Sequence, residues 1–326
     1  MATNTPHSKS RVALRGLAIT VATLCLYPCS PTTPATASTT GERPTSSYGW
    51  PIKPFHSQHP VRGFFGDPRV DWEIPNVRRM YRFHFGVDVS APDGTAVYAT
   101  TSGRITVQSE AVVVTRADGV ELEYWHVVPT VRTGDRATAY RTVVGRIAHG
   151  WEHVHFSERR AGTYVNPLRL GAMGPYEDTT APVVRGIRLQ RGLHKVNRFR
   201  VAGRVSLVAN CFDVTPVAVP APWNGKPVTP ALVRWRLTGP RGAVFGWRTA
   251  VDFRLTIPSY HAYHHVYASG TRQNRSYLAG QYYFLLAKGW NSDSVADGVY
   301  SLEVAVADAA GNTARRSQRV VISNHV

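Results

Sequence analysis

No stretch of the 326-residue chain keeps apolar residues at helical spacing for more than two turns, so amphipathic helices are excluded as its main building element. From Trp50 onward, short β-branched and aromatic runs alternate with turn residues. Residues 95–99, 104–108, 111–116 and 120–126 are such runs, and Asp93-Gly94 and Asp118-Gly119 lie between strand signals. Asp-Gly pairs favour tight hairpins because glycine takes positive φ freely. A second series occupies residues 183–189, 201–210, 232–237, 244–257, 298–308 and 314–322. The expectation is an all-β protein: an antiparallel β-sheet domain followed by a β-sandwich.

Within the first series the histidines are grouped. His84-Phe85-Gly86-Val87-Asp88, Tyr124-Trp125-His126 and His153-Val154-His155 follow one another. His84 and Asp88 are four apart and His153 and His155 two apart, so each pair shares one face if its segment is extended. Gly86, between the first pair, leaves room for an ion. Imidazole nitrogen and carboxylate oxygen are ligands zinc accepts, and three protein ligands with one open position is the catalytic arrangement. A single HxH among 13 histidines means little; the ordered combination carries the signal. Spacing leaves open which of His153 and His155 is the ligand.

The motifs run in a recognisable order. Trp50-Pro51-Ile52, Phe64-Phe65-Gly66-Asp67, His84-x-Gly86-x-Asp88, Ala91-Pro92-x-Gly94-Thr95-x-Val97-Tyr98-Ala99 and Gly103 come first. Tyr124-x-His126, Gly134-Asp135, His153-x-His155-Phe156 and Asn166-Pro167 follow. Residues 48–170 thereby resemble the lysostaphin/LytM-type zinc metalloendopeptidases. The resemblance implies one Zn2+ per chain on His84, Asp88 and His155, with His126 and His153 flanking the reactive water as catalytic residues. Tyr124 shares His126's strand face if the strand runs on, and is a candidate substrate contact or a packing residue. The segment 71–82 has no clear period and reads as a loop over the groove. Its Arg78, Arg79 and Arg82 are solvated or meet substrate carboxylates, Arg82 being the candidate contact. One departure stands out. The family's Gly/Ser/Thr-rich stretch before HxH is replaced by Ala148-His149-Gly150-Trp151-Glu152, which bears on substrate choice and leaves the ligands intact; His149 reads as a surface residue.

The organisation expected is a signal peptide at 1–37, a flexible linker at 38–47, a LytM-type zinc metallopeptidase domain at 48–176 and an immunoglobulin-like β-sandwich at 177–326. Lys9, Arg11 and Arg15 precede an apolar run at 16–27, and Ala35-Thr36-Ala37 supplies small residues for cleavage after Ala37. That run is too short to span a bilayer, so no transmembrane segment is expected in the mature chain. Lipid attachment at Cys29 is the rival reading, which Leu26-Tyr27-Pro28 disfavours. Removal of Cys25 and Cys29 would leave Cys211 alone, so no intramolecular disulfide is expected. In the sandwich, Asp297-Gly298-Val299-Tyr300, Val304-Ala305-Val306-Ala307-Asp308 and Gly311-Asn312 resemble the closing hairpin of bacterial immunoglobulin-like modules. His261, His264 and His265 read as loop residues, and Trp223, Trp235, Trp247 and Trp290 as core or as a stacking surface.

The formal net charge is +17, and residues 177–326 carry +11 of it, with nineteen basic against eight acidic side chains. Such a field favours anionic partners. Nucleic acid is not expected, because no recognition motif accompanies the charge. The function expected is a secreted or wall-associated, monomeric zinc metalloendopeptidase hydrolysing peptidoglycan peptide cross-links, with anionic wall polymers as further partners of the basic half. A catalytically inactive wall-binding or amidase-activating protein and an extracellular protease acting on proteins are the alternatives.

Overall fold

In chain order the strands are β1 (Val61–Gly63), β2 (Pro68–Asp71), β3 (Met80–Phe83), β4 (Val87–Ser90), β5 (Ala96–Tyr98), β6 (Gly103–Gln108) and β7 (Ala111–Thr115). There follow β8 (Glu121–Trp125), β9 (Val127–Pro129), β10 (Arg136–Ala137), β11 (Val143–Ile147), β12 (His153–Arg160) and β13 (Thr163–Val165). The second series comprises β14 (Val183–Arg191), β15 (His194–Val196), β16 (Arg200–Val201), β17 (Arg204–Phe212), β18 (Leu232–Gly239), β19 (Gly242–Asp252), β20 (Tyr283–Asn291), β21 (Gly298–Ala307) and β22 (Thr313–Ile322). The computed structural model describes residues 46–71, 80–192, 194–196 and 200–325. The expected signal segment, its cleavage point, Cys25, Cys29, Arg78 and Arg79 lie outside the described residues.

The first half is built on an eight-stranded sheet in the order β1-β4-β12-β8-β7-β6-β10, with β13 joined to β12, and a three-stranded sheet β5-β11-β9. All these pairings are antiparallel. Asp118-Gly119 turns β7 into β8, with Gly119 at φ 79°, as the dipeptide predicts. Strand β12 is central. Its first six residues are buried because it has a neighbour on each side, β4 and β8. Trp50, Phe65, Tyr124 and Phe156 are fully buried around it.

Beyond residue 177 a four-stranded sheet β15-β14-β17-β20 and a five-stranded sheet β16-β22-β21-β18-β19 contribute Leu189, Leu207, Trp235, Leu302 and Val304 to the buried core. Strands β21 and β22 pair over ten residues, so the predicted closing hairpin is formed. Strand β20 is an addition to the pattern read from sequence. Its only α-helix among the described residues is α1 (Tyr263–Val266), a single turn, and no described helix is long and apolar enough to cross a membrane. Cys211 is buried and free. Residues 43–326 form one compact unit. The two β-rich halves meet where Phe83 packs on Phe253 and Tyr267, and where Tyr267 Oη donates to the Gly66 carbonyl at 2.7 Å.

Candidate active site

Strand register assembles the cluster. His155 on β12 lies opposite Asp88 on β4, and His153 opposite Ser90. His84 precedes β4 and is separated from it by a bend at Gly86, so the expected continuous extended segment from His84 to Asp88 is not what joins them. The bend turns the His84 ring back over the strand. Gly86 permits a close approach to β12: a Cβ there would lie 2.3 Å from the Phe156 carbonyl oxygen, 2.5 Å from Ser157 Oγ and 2.8 Å from His155 Nε2. Gly86→Ala is expected to force β12 away from β4 at a cost of about 1–3 kcal/mol, read as a lowered thermal midpoint together with weakened metal binding in a zinc titration. An unchanged midpoint would show that β12 yields freely.

Each ligand candidate is oriented by its other side. His84 donates Nδ1–H to the Phe64 carbonyl at 2.9 Å, which leaves the Nε2 lone pair 3.0 Å from Asp88 Oδ1 and 2.7 Å from His155 Nδ1. His155 Nε2 and Ser157 Oγ are 2.8 Å apart; in the tautomer that donates Nε2–H to the hydroxyl, the Nδ1 lone pair lies 3.2 Å from the same carboxylate oxygen. Three acceptor atoms thus converge with no proton left between them. In that tautomer a cation satisfies the set. Burial, then Arg69, holds His84 below the ordinary imidazole range, and burial, then His84, depresses His155 to about 3. Both rings are therefore neutral near pH 7. Burial acts to raise Asp88, but His84, His153 and Arg69 outweigh it and keep the carboxyl well below its usual range. Two neutral imidazoles and an ionised carboxylate are a donor set that fits zinc.

His153 and His126 stand beside this set. His153 Nε2 is 3.3 Å from Asp88 Oδ1, and its Nδ1 lies 2.6 Å from both the Trp151 carbonyl and Arg62 Nη2. A proton given to the Trp151 carbonyl makes Nε2 an acceptor; an Arg62 N–H given to Nδ1 makes it a donor. His126 has φ 64°, a left-handed conformation uncommon for a residue with a Cβ and characteristic of functional sites. Its ring stacks on Trp151 at 3.5 Å and 11°, and its buried Nδ1 has no hydrogen-bond partner among the described residues. Burial, with His153 and His155 beside it, lowers His126 to about 3, so it too is neutral.

A cavity of about 520 Å³ opens onto these rings, lined also by Arg62, Arg69, Arg82, Trp125, Trp151 and Trp223. Arg82 therefore reaches the cleft, from strand β3 rather than from an arching loop. Tyr124 does not. It is fully buried, accepts from Thr100 N at 2.7 Å and packs on Phe156. The positive φ of His126 breaks the strand alternation, so the residue two before it faces the core. This corrects the substrate-contact expectation for Tyr124.

Several wall residues carry no motif. Arg69 donates to Asp88 Oδ2 at 2.8 Å and lies 3.6 Å from Asp67. Asp67 is 1% exposed and accepts from Thr229 N at 2.8 Å, 162 residues away; burial, opposed by Arg69, raises it to about 6. The Arg62 guanidinium lies 4.2 Å over the Trp223 ring. Gln273 and Asn274 also line the cavity, so the second half supplies part of its wall. Trp151, in the segment that departs from the family pattern, was visible in sequence as an aromatic two residues before His153. His149 is fully exposed beside Asp93. His261, His264 and His265 are all exposed, His264 with its ring against Tyr81. Trp235 is core, and Trp247 lies among Arg234, Arg236 and Arg315.

Residues 82–167 match Peptidase family M23, and the match contains His84, Asp88, His126, His153 and His155. This segment is an M23 peptidase domain. The match supports a peptidase role for this segment, and M23 members are metallopeptidases. No curated protein matches the chain. Among solved structures, a chain of the SpoIIIAH–SpoIIQ complex is similar at 23% identity, over 37% of this chain and 97% of that one, with a TM-score of 0.30. Pseudoalterin, an M23 metalloprotease from the deep sea, is similar at 21% identity over 37% of this chain and 79% of its own, with a TM-score of 0.26. The catalytic domain of the prophage-encoded M23 protein EnpA of Enterococcus faecalis is similar at 27% identity, over 36% and 96%, with a TM-score of 0.26.

Proposed function

We propose that this M23 domain is a zinc metalloendopeptidase that is exported and hydrolyses amide bonds in the peptide cross-links of peptidoglycan. The observation that carries the reading is the convergence of His84 Nε2, His155 Nδ1 and Asp88 Oδ1 at 2.7–3.2 Å beside the rings of His126 and His153. Zinc on those three side chains supplies Lewis acidity toward the scissile carbonyl and acidifies water. His153 takes a proton when its Nδ1–H is given to the Trp151 carbonyl, and acts as general base. The positive charge of Arg62 beside the same ring disfavours the doubly protonated imidazolium and so helps His153 pass the proton on Nε2 to the leaving amine, which returns the ring to its Nδ1–H tautomer. His126, neutral and unpartnered at Nδ1, hydrogen-bonds the developing oxyanion. Trp151 fixes its ring plane by stacking. Arg62 and Arg82 place positive charge along a cleft that would receive a substrate with free carboxylates.

The +11 charge of residues 177–326 supports anionic wall polymers as additional partners, which would raise the local concentration of the catalytic half. An export segment at 1–37, an immunoglobulin-like character for 177–326 and a monomeric state belong to the same proposal. Purified protein is expected to hold about one zinc per chain, and incubation with intact sacculi to release peptides whose masses identify a cut cross-link. Zinc-loaded protein that releases nothing would favour the inactive, wall-binding or amidase-activating reading. Cleavage of a protein substrate alone would favour the extracellular protease.

A further inference from the structure

A second cluster of acidic groups, none of which lines the cleft, comes from three separate segments of chain. Asp178 is in the connector before β14, Asp213 just past the end of β17, and Asp308 at the turn between β21 and β22. One carboxylate oxygen from each lies within 4.8 Å of the others. Asp213 and Asp308 are 0% and 1% exposed and Asp178 8%.

Local backbone bonds aim the three groups without neutralising them. Asp178 Oδ1 accepts from Thr180 N at 2.9 Å and its Oδ2 from Tyr176 Oη at 3.2 Å. Asp308 Oδ1 accepts from Gly311 N and Asn312 N. Asn312 Nδ2 spans Asp308 Oδ2 at 2.7 Å and the Asp178 carbonyl at 2.9 Å. Asp213 Oδ1 accepts from Val214 N at 2.8 Å. Its Oδ2, in a wholly buried residue, has no hydrogen-bond partner among the described residues. No arginine or lysine is paired with any of the three among the described residues. The charges that act on Asp213 are those of Asp308, Asp178 and Asp67, all of one sign, and burial together with them raises its carboxyl to about 8. Ionising all three buried carboxyls, one of them with an orphaned oxygen, is costly without a counter-charge.

We propose that Asp178, Asp213 and Asp308 bind a calcium ion that clips the connector to the ends of both C-terminal sheets. The donor set decides the ion. It contains oxygen only, without imidazole or thiolate, which suits a hard cation. Sites contributed by separate loops adapt to calcium's variable coordination more readily than to the strict octahedron of magnesium.

Zinc-loaded protein in calcium-depleted buffer is titrated with CaCl2 by calorimetry, and its thermal unfolding is followed in parallel. The expected result is one calcium per chain with a Kd of about 10⁻⁴–10⁻³ M, the range of extracellular modules, and a melting temperature that climbs with calcium concentration. Asp213→Asn replaces a carboxyl that burial and its acidic neighbours keep largely protonated near neutrality without calcium, and removes the negative charge a bound cation would call for. It is expected to melt no lower than the parent without calcium and to show no calcium-dependent rise. Absence of heat and of a thermal response in the parent overturns the proposal, as does a variant that responds like the parent. An equal response to MgCl2 overturns the calcium assignment. Should Asp213→Asn fail to fold by circular dichroism, Asp178→Asn at the cluster's edge carries the same expectation.

Discussion

His126→Ala keeps its zinc and loses turnover by about 10²- to 10³-fold, the usual effect of deleting one oxyanion donor. The side chain touches none of the three ligand atoms directly: its ring centroid is 6.0 Å from that of His155, and it is held by Trp151 and by its own backbone. Removing it leaves His84, Asp88 and His155 oriented by Phe64, Ser157 and Arg69 as before. His155→Ala behaves differently, because it deletes a converging lone pair and should lose both metal and activity. Zinc content and cross-link release, measured on both variants, separate the two roles. Loss of zinc from His126→Ala would mean that His126 is itself a ligand.

Arg69→Met destabilises the metal-free protein by about 3 kcal/mol, toward the lower end expected when one partner of a buried ion pair is removed. Arg69 is the cation between Asp67 and Asp88, and methionine retains most of its apolar stem without its charge. Asp67, already raised to about 6, is then expected to take up a proton near neutrality. In zinc-loaded protein the loss should be smaller, because the metal continues to compensate Asp88. Urea unfolding with and without zinc reads the difference. Equal midpoints for variant and parent in both states would show that solvent, not Arg69, screens the pair.

How much of this was legible in the sequence varies by element. Strands β6 to β8 follow from β-branched runs and an Asp-Gly turn, which are local signals. Strand β20 escaped because Tyr-Phe-Leu-Leu-Ala-Lys-Gly-Trp-Asn neither alternates cleanly nor lacks glycine; its pairing with β17 decides it. His84, Asp88, His153 and His155 announced themselves by spacing, and the family resemblance supplied their roles. Arg69 and Thr229 did not. An arginine becomes special only when folding buries it between two carboxylates, and Thr229 contributes a backbone N–H, which no side-chain pattern records. The face of Tyr124 was misread for a similar reason: alternation assumes extended backbone, and His126 departs from it.

The hydrogen bond from Thr229 to Asp67 links the Arg69–Asp88 pair of the candidate site to a residue far along the chain. Asp67 steadies Arg69 and Arg69 steadies Asp88, so the electric field at the reacting centre is partly authored by residues outside the M23 segment. Grafting residues 82–167 onto a foreign partner would carry every ligand across and still deliver a differently tuned catalyst.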